Sequence, residues 1–304
     1  MAELPRQISV REVGPRDGLQ NEDPVPTAAK IELIDRLSGT GVQRIEAVSF
    51  VRPEVIPQMA DADEVWHRIH RADQVRYSAL VPNARGAVRA LDNGLGELEA
   101  VVSASDTHNR KNLNRSTAQS LDEIAEIIQL AHDRGVSCQV IVSTAWGCPY
   151  EGDVPVGRVV AVASRAIADG ADSVSFGDTT GMATPGRVQR LIGEFRSAQP
   201  NAQLNLHFHN TRGTGLANVL AALEMGVADF DASVGGLGGC PYAPGATGNI
   251  ATEELVHMVE DMGVSTGIDL DALIDAAADA ERIIGRVLPS QVLRAGPRTR
   301  VIAG

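Results

Sequence analysis

Short apolar runs alternate with longer segments of helical periodicity along almost the whole chain, and this alternation restricts the fold more than any other feature. The candidate strands are residues 8–13, 42–48, 75–80, 98–103, 138–143, 173–177, 203–208 and 229–233. The candidate helices between them include 28–37, 117–132, 156–168, 187–198 and 216–225. Eight strand–helix alternations with short connections predict an α/β protein, a parallel sheet closed into a (β/α)8 TIM barrel.

An open doubly wound sheet is the alternative fold, and it is weakened because no Gly-x-Gly-x-x-Gly turn follows the first strand. From about residue 252 onward the pattern is helical, over 253–262 and 270–287, which predicts additional C-terminal helices outside the barrel or beside its mouth. We expect one catalytic domain over residues 1–304, with the barrel at about 6–250 and the C-terminal helical region at about 252–290.

Composition narrows the classes of function. The net charge of −12 disfavours binding to nucleic acid or to anionic membranes, and aromatic residues make up only 3% of the 304 residues. Three cysteines without metal-finger spacing are typical of a reducing compartment. No segment has the apolar length of a membrane span or the pattern of a signal peptide, so we expect a soluble cytoplasmic protein.

Polar residues with chemical potential recur just after the predicted strands. They are Arg16, Asp17, Glu46, Ser49, Asn83, His108, Thr144, Asp178, His207, His209, Cys240 and Asn249. In a TIM barrel these positions share the rim at the carboxyl ends of the strands, where the active sites of this fold lie. Loops are polar in any protein, but that explains poorly a set that combines carboxylates, imidazoles, a thiol and an arginine.

Four of these residues suggest a metal site. His207 and His209 are two apart, so on a strand both side chains project to the same side and can share one ion. Asp17 adds a carboxylate and Asn249 adds a carbonyl oxygen. Two nitrogen and two oxygen ligands suit Mg²⁺ or Mn²⁺ better than Zn²⁺, which favours thiolate or a third imidazole.

The neighbouring charged groups have structural and chemical interpretations that the sequence leaves open. Arg16 either forms an ion pair with Asp17 or steadies an anionic oxygen of a substrate. Glu46 either pairs with Arg16 or takes part in the chemistry. Asp178 either caps the next helix or acts as a base.

A glycine-rich segment, 235–239, precedes Cys240, which indicates a loop that closes over a ligand and not a buried structural thiol. Segment 106–115 carries several basic side chains, and we expect a polar surface loop there. In so acidic a chain, that loop is also a candidate for contact with phosphate groups.

Five segments together resemble 3-hydroxy-3-methylglutaryl-CoA lyase, a family of metal-dependent TIM barrels. They are the sequence EVGPRDGLQNE at 12–22, IEAVSF at 45–50, GDTTG at 177–181, HFH at 207–209, and the stretch from 235 to 249. The resemblance extends over nearly the whole chain. The first and last segments are highly specific, whereas GDT and HFH also occur in the related synthases.

The resemblance implies retro-Claisen cleavage of 3-hydroxy-3-methylglutaryl-CoA, or of a related 3-hydroxyacyl-CoA, to acetyl-CoA and a 3-keto acid, which is acetoacetate for the named substrate. It also implies a homodimer that acts in leucine catabolism and ketone body formation. It assigns Asp17, His207, His209 and Asn249 to the metal. It assigns Arg16 to the enolate oxygen, and Asp178, helped by Glu46 and His207, to the hydroxyl proton. It makes Cys240 an acid–base group on the mobile loop.

Two departures from the family pattern leave the acyl group open. Asn210 and Arg212 stand where the family has aspartate and tyrosine, and the lysine-rich segment is altered at 109–112. We expect Asn210 and Arg212 to affect the choice of acyl group, so that a related branched 3-hydroxyacyl-CoA is an alternative substrate. Two other functions are also open: an acetyl-CoA-condensing synthase of the isopropylmalate or citramalate type, and a non-catalytic paralogue that binds CoA or metal.

Overall fold

A computed structural model describes residues 4–239 and 248–300, and it confirms the predicted barrel. Eight parallel strands close on themselves in chain order, β1 pairing with both β2 and β8. The strands are β1 Ser9–Glu12, β2 Arg44–Ser49, β3 Arg76–Val81, β4 Glu97–Ser103, β5 Ser137–Ser143, β6 Ser173–Gly177, β7 Gln203–His207 and β8 Asp229–Ala232. Each lies within two residues of its predicted bounds.

The described helices cover the outside of the barrel. They are α1 Thr27–Ser38, α2 Ala62–Arg68, α3 Ala84–Asp92, α4 Asp106–Leu113, α5 Thr117–His132, α6 Val156–Ala168, α7 Pro185–Ala198, α8 Gly215–Glu224, α9 Thr252–Asp261, α10 Leu270–Ile284 and α11 Gln291–Ala295. Among the described residues no helix is long and apolar enough to cross a membrane.

The expectation of a loop at 106–115 is wrong, because most of that segment is helix α4. The Ser105 side chain caps the helix by accepting a hydrogen bond from the His108 backbone N–H at 3.1 Å. Inside the turn, the buried Asn109 side chain accepts from the Ser103 backbone and donates to the Arg115 carbonyl. These local hydrogen bonds stabilise a helix whose polar sequence gives it little apolar surface to bury.

The apolar core lies between the sheet and the helices. Strand residues such as Val140, Phe176 and Leu206 are fully buried, and the Phe176 ring meets Phe195 of α7 with ring centroids 5.0 Å apart. The alternate strand positions face the barrel interior and are mostly polar. Apolar and polar residues therefore alternate with period two, the apolar set facing the helices.

The barrel interior holds a network of buried charged and amide side chains in place of the branched apolar layers common in this fold. Arg11 is fully buried and donates to both carboxylate oxygens of Asp231, at 2.8 and 2.9 Å. A third contact, of 2.5 Å, joins Arg11 to Glu99. Asn205 also donates to Asp231, at 2.9 Å. The network leads from the middle of the barrel towards its carboxyl-terminal rim.

The C-terminal helices pack directly on the barrel, as predicted. Helix α10 contacts α1, α9 and the turn Val234–Gly236 that follows β8. Ion pairs Arg36–Asp279 and Arg282–Glu32 join α10 to α1 on the surface. This packing brings the chain after β8 back beside the barrel mouth, where Asn249 lies.

Candidate active site

The carboxyl-terminal rim brings together the predicted metal ligands from three separate parts of the chain. Asp17 lies in a single turn of π-helix, Gly14–Gly18, directly after β1. His207 is the last residue of β7, and His209 forms an isolated bridge with Asn249. One-turn π-helices are rare and occur frequently at functional sites.

Asp17, His207 and His209 form a cluster in which one ligand atom from each residue lies within 4.8 Å of the others. The Nε2 atoms of the two imidazoles are 3.1 Å apart. Ligand atoms at about 2.1 Å from a six-coordinate ion are about 3 Å apart on adjacent positions, so this spacing fits a divalent cation.

Asn249 joins the cluster through its side chain. Its amide nitrogen donates to Asp17 at 2.8 Å and to the Leu237 carbonyl at 3.1 Å. Its buried carbonyl oxygen Oδ1 has no hydrogen-bond partner among the described residues, and neither has the buried Nδ1 atom of His209. Buried polar atoms are usually satisfied, so the Asn249 oxygen, which lies beside Asp17, fits a site that is completed by a ligand.

His207 is oriented from inside the barrel. Its Nδ1 atom lies 3.2 Å from Asp231, and its Nε2 atom faces His209. A proton on Nδ1, shared with the carboxylate, leaves Nε2 with the lone pair that binds a metal. Arg11 holds Asp231 from the other side, so an uninterrupted chain of contacts leads from the barrel interior to the cluster.

Burial and charge set the protonation of the cluster. Burial, followed by the effect of the His207 charge, lowers the pKa of His209 to about 3. Burial opposes charge on His207 too, but the hydrogen bond to Asp231 and the negative charges of Asp17 and Asp231 together outweigh it and raise the pKa of His207. Burial likewise opposes the Asp17 carboxylate, but Arg16 together with the neighbouring imidazoles and the Asn249 amide outweighs it and lowers the pKa of Asp17. Ionised Asp17 and neutral His209 are the forms that bind metal ions.

Arg16 and Glu46 form the ion pair that was one of the two interpretations from the sequence. Arg16 donates to Glu46 at 2.6 Å and to Asp17 at 2.9 Å. Gln20, which sequence reasoning missed, also donates to Asp17, at 2.8 Å. The Nε atom of Arg16 is buried and without a partner among the described residues. Arg16 therefore has unused hydrogen-bonding capacity beside the cluster of Asp17, His207 and His209.

Asp178 lies just after β6, with its side chain 1% exposed. One oxygen accepts from the backbone N–H groups of Met182 and Ala183, at 2.8 and 3.0 Å, and the other is buried without a partner among the described residues. The first contacts stabilise the turn before α7, but this helix begins at Pro185 after Thr184, so Asp178 does not cap it as one interpretation from the sequence expected. Burial raises the pKa of Asp178 to about 6.

The departures at 210 and 212 support the backbone around the site. Arg212 is exposed and donates to the Thr180 and Gly181 carbonyls, at 2.6 and 3.1 Å. The Asn210 side chain accepts from the Gly215 N–H at 3.1 Å. Neither side chain lines the cavity described below, so the geometry does not support direct contact between these residues and an acyl group.

A cavity of about 370 Å³ opens over the cluster. Its polar wall includes Arg16, Asp17, Gln20, Asp231, His207 and His209. Its apolar wall includes Val51, Ile56, Leu80, Val101, Ile141 and Leu113. A second cavity, of about 460 Å³, lies at the opposite end of the barrel and contains none of the predicted site residues. The first cavity can hold a ligand that has one oxygen-rich end and one apolar part.

Cys240 lies outside the described residues. The chain that leads to it passes close to the cluster: at Gly238, where φ is +115°, an added Cβ would come within 2.8 Å of the Asn249 amide nitrogen. The backbone is therefore adapted to glycine at this point.

The sequence analysis missed Arg11, Gln20, Asn205 and Asp231, all of which contact the ligand set or support it. Arg11 and Asp231 lie within strands that were identified from their apolar residues. The signal that could have revealed them is the recurrence of polar residues at alternate positions in these strands, because such residues share one face of the sheet.

Fold and site together define a class of protein, the TIM-barrel enzymes, here with a cluster at the carboxyl-terminal rim that could hold a metal ion. The family model described as HMGL-like matches residues 7–279, and the chain belongs to this family.

Two curated relatives differ in substrate. A hydroxymethylglutaryl-CoA lyase of Bacillus subtilis is 45% identical over 95% of this chain and 97% of its own length. An (R)-citramalyl-CoA lyase of Chloroflexus aurantiacus is 44% identical over 95% of each chain. Both similarities cover nearly the whole protein.

Solved structures agree with the fold. The crystal structure of the Bacillus subtilis HMG-CoA lyase superposes with a TM-score of 0.94 at 45% identity, covering 96% of this chain and 98% of that one. An HMG-CoA lyase from Acinetobacter baumannii, in complex with coenzyme A and 3-methylmalate, has a TM-score of 0.93 at 44% identity, covering 100% and 99%.

The contact between Asp231 and His207 yields a prediction about metal affinity. Asp231→Asn keeps the shape of the side chain but removes the charge that fixes the His207 tautomer. We expect Mn²⁺ affinity, measured by isothermal titration calorimetry on folded protein, to fall about 10–100-fold. Asp172→Asn is the control, because its side chain is 46% exposed at the far end of the barrel. Equal Mn²⁺ affinity in both variants would contradict the orienting role.

Proposed function

We propose that this enzyme is a divalent-metal-dependent carbon–carbon lyase that cleaves 3-hydroxy-3-methylglutaryl-CoA to acetyl-CoA and acetoacetate. The observation that carries the proposal is the convergence of Asp17, His207, His209 and Asn249 beside one cavity at the barrel rim. Family membership and the lyase names of the relatives support the same reaction.

The residues at the rim fit a metal such as Mg²⁺ or Mn²⁺. Asp17, His207 and His209 would hold it, with the unpartnered Oδ1 of Asn249 as the fourth ligand. When bound, a divalent cation polarises the tertiary hydroxyl and a neighbouring carboxylate or keto oxygen of the substrate. Oxygen and imidazole ligands without thiolate favour Mg²⁺ or Mn²⁺ over Zn²⁺.

The chain's own groups would handle the proton and the charge. Asp178, with His207 near it, takes the hydroxyl proton. The carbon–carbon bond then breaks, leaving a ketone on one fragment and a thioester enolate on the other. Arg16 stabilises the enolate oxygen, and Glu46 holds Arg16 in place. Cys240 gives the enolate carbon the proton that completes acetyl-CoA.

The thioester end of the substrate has a suitable entrance at helix α4. His108, Asn112 and Leu113 of this helix line the cavity, and Arg110 and Lys111 are exposed beside them. Lys111 lies over the Tyr150 ring, with its ammonium 4.8 Å from the ring centroid. These cations would attract the phosphates of coenzyme A, although the net charge of the whole chain is −12.

(R)-Citramalyl-CoA is the second candidate substrate, because a relative that is 44% identical carries that name. It also has a tertiary hydroxyl and a carboxylate, but one methylene fewer between them. The same bond cleavage would release acetyl-CoA and a 2-keto acid in place of acetoacetate. We also propose a cytoplasmic homodimer that acts in leucine catabolism and ketone body formation, as the family resemblance implies.

The proposal predicts strict dependence on a divalent metal. Chelated, desalted protein should not cleave the two acyl-CoA thioesters, and Mg²⁺ or Mn²⁺ should restore the activity, because the cluster lacks another Lewis acid. Acetyl-CoA and the keto acid product are measured by chromatography.

Full turnover without metal would contradict the proposal, and CoA release from acetyl-CoA plus a 2-keto acid would favour a synthase. Turnover of neither thioester would favour a non-catalytic paralogue.

A further prediction concerns the thiol. Cys240→Ala should reduce kcat about 100- to 10,000-fold, the usual effect of losing a general acid–base group, and leave Mn²⁺ affinity unchanged because the ligands lie elsewhere. Cys138→Ala is the matched control, since that thiol is fully buried on strand β5 away from the cavity. If Cys240→Ala has the wild-type kcat, the thiol is not the acid–base group, and that role belongs to Asp178, Glu46 or His207.

A further inference from the structure

A buried carboxylate, that of Glu12, lies at the end of β1 without contacting any predicted metal ligand. It is 0% exposed, and within residues 4–239 and 248–300 it is held by hydrogen bonds and not by an ion pair. Burial raises its pKa to about 7 against the effect of those bonds. Burying a carboxylate without a cation is unfavourable, so its contacts call for an explanation.

The three donors to Glu12 come from three different segments. They are the Gly14 N–H at 2.7 Å, the Val234 N–H at 2.9 Å and the Thr252 hydroxyl at 2.6 Å. One side chain therefore links the turn after β1, the turn after β8 and the start of α9.

Each of these segments leads directly to the metal cluster. Gly14 begins the π-helical turn that carries Asp17. Val234 begins the turn before Leu237, whose carbonyl accepts from Asn249 at 3.1 Å. Thr252 lies three residues after Asn249 in the chain. The cluster thus depends on three backbone segments that share one anchor.

We propose that Glu12 is a positioning residue whose carboxylate sets the separation between Asp17 and Asn249 by fastening the segments that carry them. This inference rests on the proposed metal site but concerns residues of the chain alone. The side chain has the length that the junction requires, because its two oxygens reach all three donors at hydrogen-bond distance. Gly14 is adapted to the same junction, since a Cβ added there would come within 2.7 Å of the Glu12 carboxylate. Glu253 reinforces the junction by accepting from the next amide, that of Gly235, at 3.0 Å.

Two substitutions separate geometry from charge. Glu12→Asp keeps the charge but is one methylene shorter, so it cannot reach all three donors. Glu12→Gln keeps the length: its oxygen can accept from both amides, and the Thr252 hydroxyl can turn to accept from its nitrogen. We expect Glu12→Asp to weaken Mn²⁺ binding about 10–100-fold in calorimetry without substrate, and Glu12→Gln to stay within about threefold.

Hydrogen–deuterium exchange of the metal-free protein gives a readout that needs neither metal nor substrate. Glu12→Asp should raise exchange in 13–18, 234–239 and 250–254 together, and leave β4 and β5 at wild-type rates. If wild-type protein bound no Mn²⁺, the proposed function would fail, whereas this exchange pattern would still test the junction.

Phe195→Leu is the control for a general loss of stability. Phe195 is fully buried in the core away from the rim, so this change should lower the melting temperature but not Mn²⁺ affinity. Gly14→Ala approaches the same junction from the other side and replaces Glu12→Asp should that variant not fold. Wild-type exchange in the three segments would overturn the proposal. So would an equal loss of Mn²⁺ affinity in Glu12→Gln, which would make charge and not geometry the cause.

Discussion

The contact between Arg11 and Asp231 inside the barrel is the interaction on which the site depends. A fully buried guanidinium meets one carboxylate with two hydrogen bonds and a second carboxylate, that of Glu99, at 2.5 Å. Two opposed charges in good geometry can occupy an interior where either alone would be very unfavourable. Because Arg11 stabilises its negative charge, Asp231 can hold His207 in the tautomer that a metal requires.

Because of this charged network, the interior of the barrel supports the site and is not simply an apolar core. In many TIM barrels the interior is a packed apolar core, whereas here the apolar core lies between sheet and helices. Removing one partner of a buried charged pair typically costs about 3–5 kcal/mol, so the network fixes the orientation of each member. Asp17, His207 and His209 are held by the short turn after β1, by β7 and by the bridge that adjoins β7, which favours a metal site formed before substrate arrives.

The fold could be predicted from the sequence because the short apolar runs of the strands and the helical periodicity between them are both strong. Helix α5 was predicted with its exact bounds from its amphipathic pattern, and the structure shows a capping box of Ser116 and Gln119 at its start. Helix α4 was missed because its stability comes from the Ser105 cap and the bonds of Asn109, which composition does not show.

The ligand candidates could be identified because a histidine pair, an aspartate and an asparagine all follow strands that end at one rim. The residues that support the ligands could not be identified from the sequence, since their roles depend on the register in which neighbouring strands pair. Asp231 lies beside His207 only because β7 pairs with β8 in that alignment, and Arg11 lies beside Asp231 through the pairing of β8 with β1. Glu12 likewise depends on contacts between segments more than 200 residues apart.

The central claim is that a carboxylate-oriented imidazole pair and Asp17 hold one divalent ion at the barrel rim. Anomalous X-ray diffraction at the manganese edge, on crystals grown with Mn²⁺, tests it most directly. The account predicts one strong peak in contact with Asp17, His207 and His209, with Asp231 still bonded to the far side of His207. Absence of a peak at that cluster, or a peak at other residues only, would contradict the account.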